Sequence, residues 1–327
     1  GGKFTTNNGT SSPIWVENIA ARLGLAVLPA VMGFAGQSQD CPAALVNAAY
    51  AAFCTGYAQG GSRVSDPNGI GHTTSSGAPA ALTVPVVTQV ANHLAKAGTF
   101  KASDLVLVWA GSNDVFAQFT TFGATAAQIQ AAAAAGSISA DEANRQLFAA
   151  QTAAQEALKQ AAQTLADTIK NQILAKGAKY VAVLNLPDSA KTPMGMSPQV
   201  APAASVLTGL VDTFNLWLRD GLTGQPVQIV DVNSALTAVT ANPAQFGMAN
   251  NTAPACDATK IAAITHNQVT DGSSLFCNAT PGAPFNGLRS GADVNTWFYA
   301  DGVHPTTGGH KVISDFVASQ LAAYGWI

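Results

Sequence analysis

Charge is scarce in this sequence. Of 327 residues, 15 are Lys or Arg and 18 are Asp or Glu, 10% in all, for a net charge of −3. The basic residues are scattered, which excludes a cationic footprint for nucleic acid or for an anionic membrane surface. With 48% hydrophobic residues, the chain is also neither disordered nor a solvated coiled coil. Uninterrupted apolar runs of membrane-spanning length are missing too. The longest, Ile19 to Gly36, is broken by Arg22, Pro29 and several glycines, which predicts a buried helix followed by a loop rather than a membrane span. The opening Gly1-Gly2-Lys3-Phe4-Thr5-Thr6 has neither the basic start nor the apolar core of a signal peptide. Histidine is sparse, and His72, His93, His266 and His310 fall at no metal-ligand spacing. No Gly-x-Gly-x-x-Gly opens a helix and no phosphate loop is present, so neither metal nor cofactor is expected.

Cysteine is rare but informative. The four are Cys41, Cys54, Cys256 and Cys277, and their spacings fit no common zinc pattern. Of three possible pairings, the two local loops Cys41–Cys54 and Cys256–Cys277 are the simplest. Disulfides imply an oxidising compartment, hence a secreted or periplasmic protein.

What is present is a β-then-α alternation. Pro13 to Leu23 reads as a helix, with Ser12 as N-cap and Pro13 at the first position. Gly56 to Val64 reads as a short strand entering a glycine turn, and Val84 to Ala97 has helical periodicity. Leu105 to Ala110 and Tyr180 to Leu186 are continuous apolar runs, which suit strands covered on both faces. Ala124 to Ala135 is an alanine-rich helix closed by Gly136, and Ser139-Ala140-Asp141-Glu142 forms a capping box for a long helix that Gly177 stops. Helix 204–220, strand Val227 to Val232 and a final amphipathic helix around Val312 to Leu321 complete the pattern. It predicts a single α/β domain over 1–327, built on a parallel sheet with helices on both faces. Residues 241–299 form an irregular excursion that suits either a substrate wall or lid, or a plain disulfide-tied loop.

Three short segments carry chemistry. Asp301, three residues before His304, can reach the imidazole Nδ1 and leave Nε2 free as a base. Taken alone, an Asp and a His that merely cap a helix explain this spacing better. Asn113 follows the strand 105–110, where α/β sheets present ligands, and its carboxamide can donate to an oxyanion; Asp114 is placed to cap the next segment. An ordinary Gly-Ser-Asn-Asp turn is the competing reading. Gly60-Gly61 allows a backbone N–H to approach a substrate closely, or is simply a tight turn.

In combination and in this order, the segments resemble the SGNH (GDSL-type) hydrolase family. Tyr57–Val64 is similar to its glycine block, Leu105–Phe116 to its asparagine block and Trp297–His310 to its histidine block. Asn185-Leu186-Pro187 followed by Thr192-Pro193 is similar to the segment after its fourth strand. The resemblance implies a three-layer α/β/α sandwich with a mainly parallel, flavodoxin-like sheet. It implies His304 as general base and acid, oriented by Asp301, with the Gly61 N–H and the Asn113 side chain as two of three oxyanion donors. The implied activity is ester hydrolysis on an ester or lipid substrate. Acyl transfer to an alcohol, or a catalytically inactive binding module of the same fold, are the alternatives.

One block departs from the family. Its Gly-Asp-Ser-Leu, at the end of the first and central strand, is absent. Gly36-Gln37-Ser38-Gln39-Asp40 is the nearest imitation, and Ser62 and Ser112 lie at positions the family does not use for its nucleophile. No nucleophile is therefore assigned. The expectation is that an upstream segment of the same precursor supplies the strand and the serine, either as a cleaved fragment that stays bound or as a stretch left out of this numbering, because the fold without its central strand exposes inner sheet edges.

Overall fold

A computed structural model describes residues 3–8, 11–280, 282 and 286–327. The first helix, α1 (Trp15–Arg22), starts two residues later than the sequence predicts. The Glu17 carboxylate accepts the Ile14 N–H at 2.9 Å, so Glu17 rather than Ser12 sets the start. The predicted loop after it contains an antiparallel hairpin, β1 (Val31–Phe34) and β2 (Gln37–Asp40). A short helix α2 (Pro42–Val46) follows, closed by the expected Cys41–Cys54 disulfide. The predicted strand at Gly56–Val64 does not form: Gly56 makes one isolated bridge to Pro29, and the rest is irregular. Two glycines at its end favour a turn over ladder pairing.

The core begins at α3 (Val86–Ala97) and β3 (Leu105–Val108). Gly111, at φ +116°, makes the turn from β3 into α4 (Ser112–Ala134). A Cβ there would run into the Phe214 ring, so the close approach of that ring requires glycine. The helix thus starts twelve residues before the predicted Ala124, and Asp114 lies inside its first turn instead of capping it. The Ser139 hydroxyl accepts the Glu142 N–H at the start of α5 (Ala140–Thr168), which continues as a π-helical turn through Ile173. Next come β4 (Tyr180–Leu184), α6 (Ala204–Gly221) and β5 (Gln228–Val230). The apolar run predicted as strand 227–232 is cut short by Asp231. Its carboxylate accepts the Ser234 N–H and starts α7 (Val232–Ala241). Within the predicted excursion lie α8 (Ala258–Ile264) and the second expected disulfide, Cys256–Cys277. Residues 281 and 283–285 of that excursion lie outside the described residues. The chain closes with α9 (Thr307–Ala323).

The strands β3, β4 and β5 pair in parallel in that order, with Val106 opposite Val181 and Val183 opposite Ile229. Alternate residues sort into two cores, as the two-residue period of a strand dictates. Val106, Val108, Val181 and Val183 meet Leu158, Leu165, Leu207 and Phe214 of α5 and α6. Leu105, Leu107, Ala182, Leu184 and Val230 meet Ile19 of α1 and Ile313, Val317 and Leu321 of α9. Helices therefore cover both faces of a mixed α/β fold. Among the described residues, the outer edge of β3 pairs with no further strand. None of the described helices is long and apolar enough to cross a membrane.

Candidate active site

The loop before α9 is built around one carboxylate. Tyr299 bridges Pro305, and the Ala300 N–H donates to the His304 carbonyl at 2.7 Å, which folds residues 300–304 into a closed turn. Asp301 sits inside it, 6% exposed. Its Oδ1 accepts the backbone N–H groups of Val303 (3.0 Å) and His304 (2.8 Å), and its Oδ2 accepts the Ser274 N–H at 2.8 Å. The His304 Nδ1 lies 3.0 and 2.9 Å from the two carboxylate oxygens. Burial alone would raise the Asp301 pKa. The hydrogen bonds and charge of His304, with the bonds from Ser274 and Val303, outweigh burial and hold it well below the usual carboxylate range. An ionised carboxylate here fixes the proton of His304 on Nδ1. Nε2 then presents a lone pair, and it has no partner among the described residues.

A second cluster forms where the first turn of α4 grips residues 62–64. The Asn113 Nδ2 donates to the Ser62 carbonyl at 2.8 Å. The buried Asp114 accepts the Val64 N–H at 2.9 Å and Arg63 Nε at 3.3 Å. Burial raises the pKa of Asp114 against the pull of these two donors. From the other side, the first N–H groups of α3 reach the carbonyls of Arg63 and Val64, both at 3.1 Å. Gly61 has φ +77° and accepts the Ile70 N–H at 2.8 Å, while a Cβ on it would strike the Ile70 carbonyl. The Gly61 N–H itself has no acceptor among the described residues. Asn113 uses one amide hydrogen on Ser62 and keeps the other.

Phe4 links the two clusters. Its ring centroid is 4.6 Å from that of His304, tilted by 32°, and a Cβ on Gly60 would enter the same ring. Sequence reasoning did not find this residue, and no signal around it marks a site. It also passed over Ser274 and dismissed His310 for belonging to no ligand cluster. His310 is buried in α9, its Nδ1 3.3 Å from the Trp15 N–H and its Nε2 3.4 Å from the Phe4 carbonyl. Burial pushes its pKa down to about 4; the bond to Phe4 opposes this, and the charges of His304 and Lys3 add to it.

The serines are elsewhere. The Ser62 Oγ is buried and accepts from Gln89 Nε2 at 3.3 Å, Ser112 opens α4, and Ser38 lies on the exposed strand β2. Ser274 is fully buried, and its Oγ bonds to nothing among the described residues. None of these hydroxyls bonds to His304. Among the described residues, no group of three or more His, Cys, Asp or Glu side chains is arranged to hold a metal ion.

The sequence profile described as GDSL-like Lipase/Acylhydrolase matches residues 5–317, a stretch that contains both clusters. The chain belongs to that family. Similar curated proteins include esterase EstA of Pseudomonas aeruginosa and esterase EstA of Pseudomonas putida. Each is 32% identical over 148 residues, which is 45% of this chain and 20% of the relative. A Pseudomonas putida protein described as an uncharacterized protein in the trpE-trpG intergenic region is 32% identical over 151 residues, 45% of this chain and 22% of its own length. The matched stretch thus spans only about a fifth of these relatives.

Proposed function

We propose that this chain belongs to a carboxylic ester hydrolase, an esterase or lipase, that works in a secreted or periplasmic setting. The observation that carries the proposal is the Asp301–His304 pair, with an unpartnered Nε2, beside a turn that offers the Gly61 N–H and the Asn113 amide. Family membership supports the chemistry, and two disulfides support the oxidising compartment. The nucleophile is a serine on a further segment of the same precursor, whose strand adds to the outer edge of β3 in a flavodoxin-like, three-layer domain. Among the described residues, the unpaired edge of β3 and the lack of a serine hydroxyl bonded to His304 both favour this arrangement.

The serine Oγ bonds to the ester carbonyl carbon while its proton passes to His304 Nε2, and Asp301 stabilises the imidazolium. The carbonyl oxygen becomes an oxyanion held by Gly61 N–H, Asn113 Nδ2 and the serine's own N–H. Collapse breaks the bond to the alcohol, which leaves with the proton from His304. Water then repeats the sequence on the acyl-enzyme and releases the acid.

The test uses the secreted precursor, a fluorophosphonate probe and intact-mass analysis under denaturing conditions. The expected result is a covalent label on a serine outside residues 1–327, with labelling and p-nitrophenyl ester hydrolysis both lost in His304→Ala. Labelling of a serine inside 1–327, or hydrolysis that survives His304→Ala, would overturn it.

A further inference from the structure

The two clusters of the site do not bond to each other directly. Asp301 and His304 belong to the loop before α9, while Gly61 and Asn113 belong to the turn held by α3 and α4. One aromatic ring stands between them, against the His304 imidazole on one side and Gly60 on the other. We propose that Phe4 is a positioning residue, the spacer that sets the distance from the base to the oxyanion donors. This rests on the hydrolase reading above and deepens it.

The segment that carries Phe4 is anchored well enough for such a role. Asn7 donates to the carbonyls of Lys3 (2.8 Å), Thr5 (2.9 Å) and Ser274 (2.9 Å), and its own N–H reaches the Cys277 carbonyl at 2.7 Å. Lys3 pairs with Glu17 of α1 at 2.7 Å, and the Phe4 carbonyl faces His310 of α9. Thr5 and Thr6 are fully buried. The backbone on either side of Phe4 is thus fixed to α1, α9 and the 274–277 loop. The ring is held against His304 by the same loop that donates to Asp301 through Ser274. The ring packs against the imidazole with centroids 4.6 Å apart. On the far side only glycine fits, because any Cβ at position 60 enters the ring. The pairing of a phenyl with a glycine is what a tight, fixed spacing requires.

The test is a double-mutant cycle in the intact precursor, with p-nitrophenyl butyrate as substrate. Phe4→Leu and Gly60→Ala are each expected to lower kcat by about tenfold to a hundredfold, with KM little changed, as a misplaced catalytic group does. Combined, they should recover part of the loss, because the shorter side chain makes room for the methyl. A merely structural role for Phe4 gives a fall in melting temperature that parallels the fall in kcat across the three variants, and that result overturns the spacer assignment. Additive penalties, or a Phe4→Leu precursor with full kcat, overturn the spacer assignment while His304-dependent hydrolysis leaves the hydrolase reading standing. Absence of His304-dependent hydrolysis in the unaltered precursor overturns both.

Discussion

At the scale of single residues, the site divides into groups that meet substrate and groups that hold them. On the proposed hydrolase reading, Asn113→Ala removes one oxyanion donor, and kcat for ester hydrolysis is expected to fall about 10²- to 10³-fold with KM nearly constant. Asp114→Ala acts differently. It strands the Val64 N–H and takes from Arg63 one of its two carboxylate partners, leaving Asp66, so it should cost about 1–3 kcal/mol in urea unfolding before activity is considered. His310 makes stability depend on pH. Its folded pKa of about 4 lies below the ordinary 6.5, so the unfolded chain takes up the proton first as pH falls. Its contribution is complete above about pH 6.5 and is lost as pH drops through about 4, a span worth roughly 3 kcal/mol at most. Thermal melts of the His310→Gln variant should show a flatter pH dependence across that window. Loss tied to Asp301 begins only at lower pH, because its folded pKa is depressed below a carboxylate's range. The Asp301–His304 pair was legible in the sequence because its partners are three residues apart. Phe4, Ser274 and His310 were not, since the contacts that give them meaning span up to 306 positions.

At the scale of elements, strands buried on both faces announced themselves as continuous apolar runs, and β3 and β4 fell within the predicted ranges. The β1–β2 hairpin did not. Gln-Ser-Gln-Asp of β2 is exposed throughout and carries no two-residue alternation to read. Helix α7 was hidden for the opposite reason: Asp231 ends the strand inside an apolar stretch by capping the next turn with its side chain. Both disulfides were legible from local spacing, but what the second one supports was not. Cys277 accepts the Asn7 N–H, and three residues earlier Ser274 donates to Asp301. Replacing Cys256 and Cys277 together by Ser should destabilise the chain by roughly 3 kcal/mol, as removal of a loop of this size does. Activity should fall further than stability does, which a comparison of residual kcat at 10 °C and 37 °C resolves.

At the scale of the whole molecule, the three-stranded sheet is open at both of its outer edges among the described residues. Strand β4 is paired on both edges, whereas β3 has one edge without a strand among the described residues. Hydrogen exchange in the isolated 1–327 chain should therefore be slow along β4 and fast at the outward N–H groups of β3. With the proposed strand added to β3, both should be slow. The β-then-α alternation made the parallel sheet readable, but the strand order was not, because that order depends on which edges find partners. The meeting of Phe4 with His310, and of Thr6 with Thr307, carries a separate consequence. These contacts close loops of more than 300 residues, so they rank among the last to be rewarded as the chain folds. A nascent chain emerging from a ribosome or a translocation pore has β3, β4 and α6 available to condense long before α9 arrives. Competence at the site is then a late acquisition within this stretch of chain, gained only once α9 has emerged and docked.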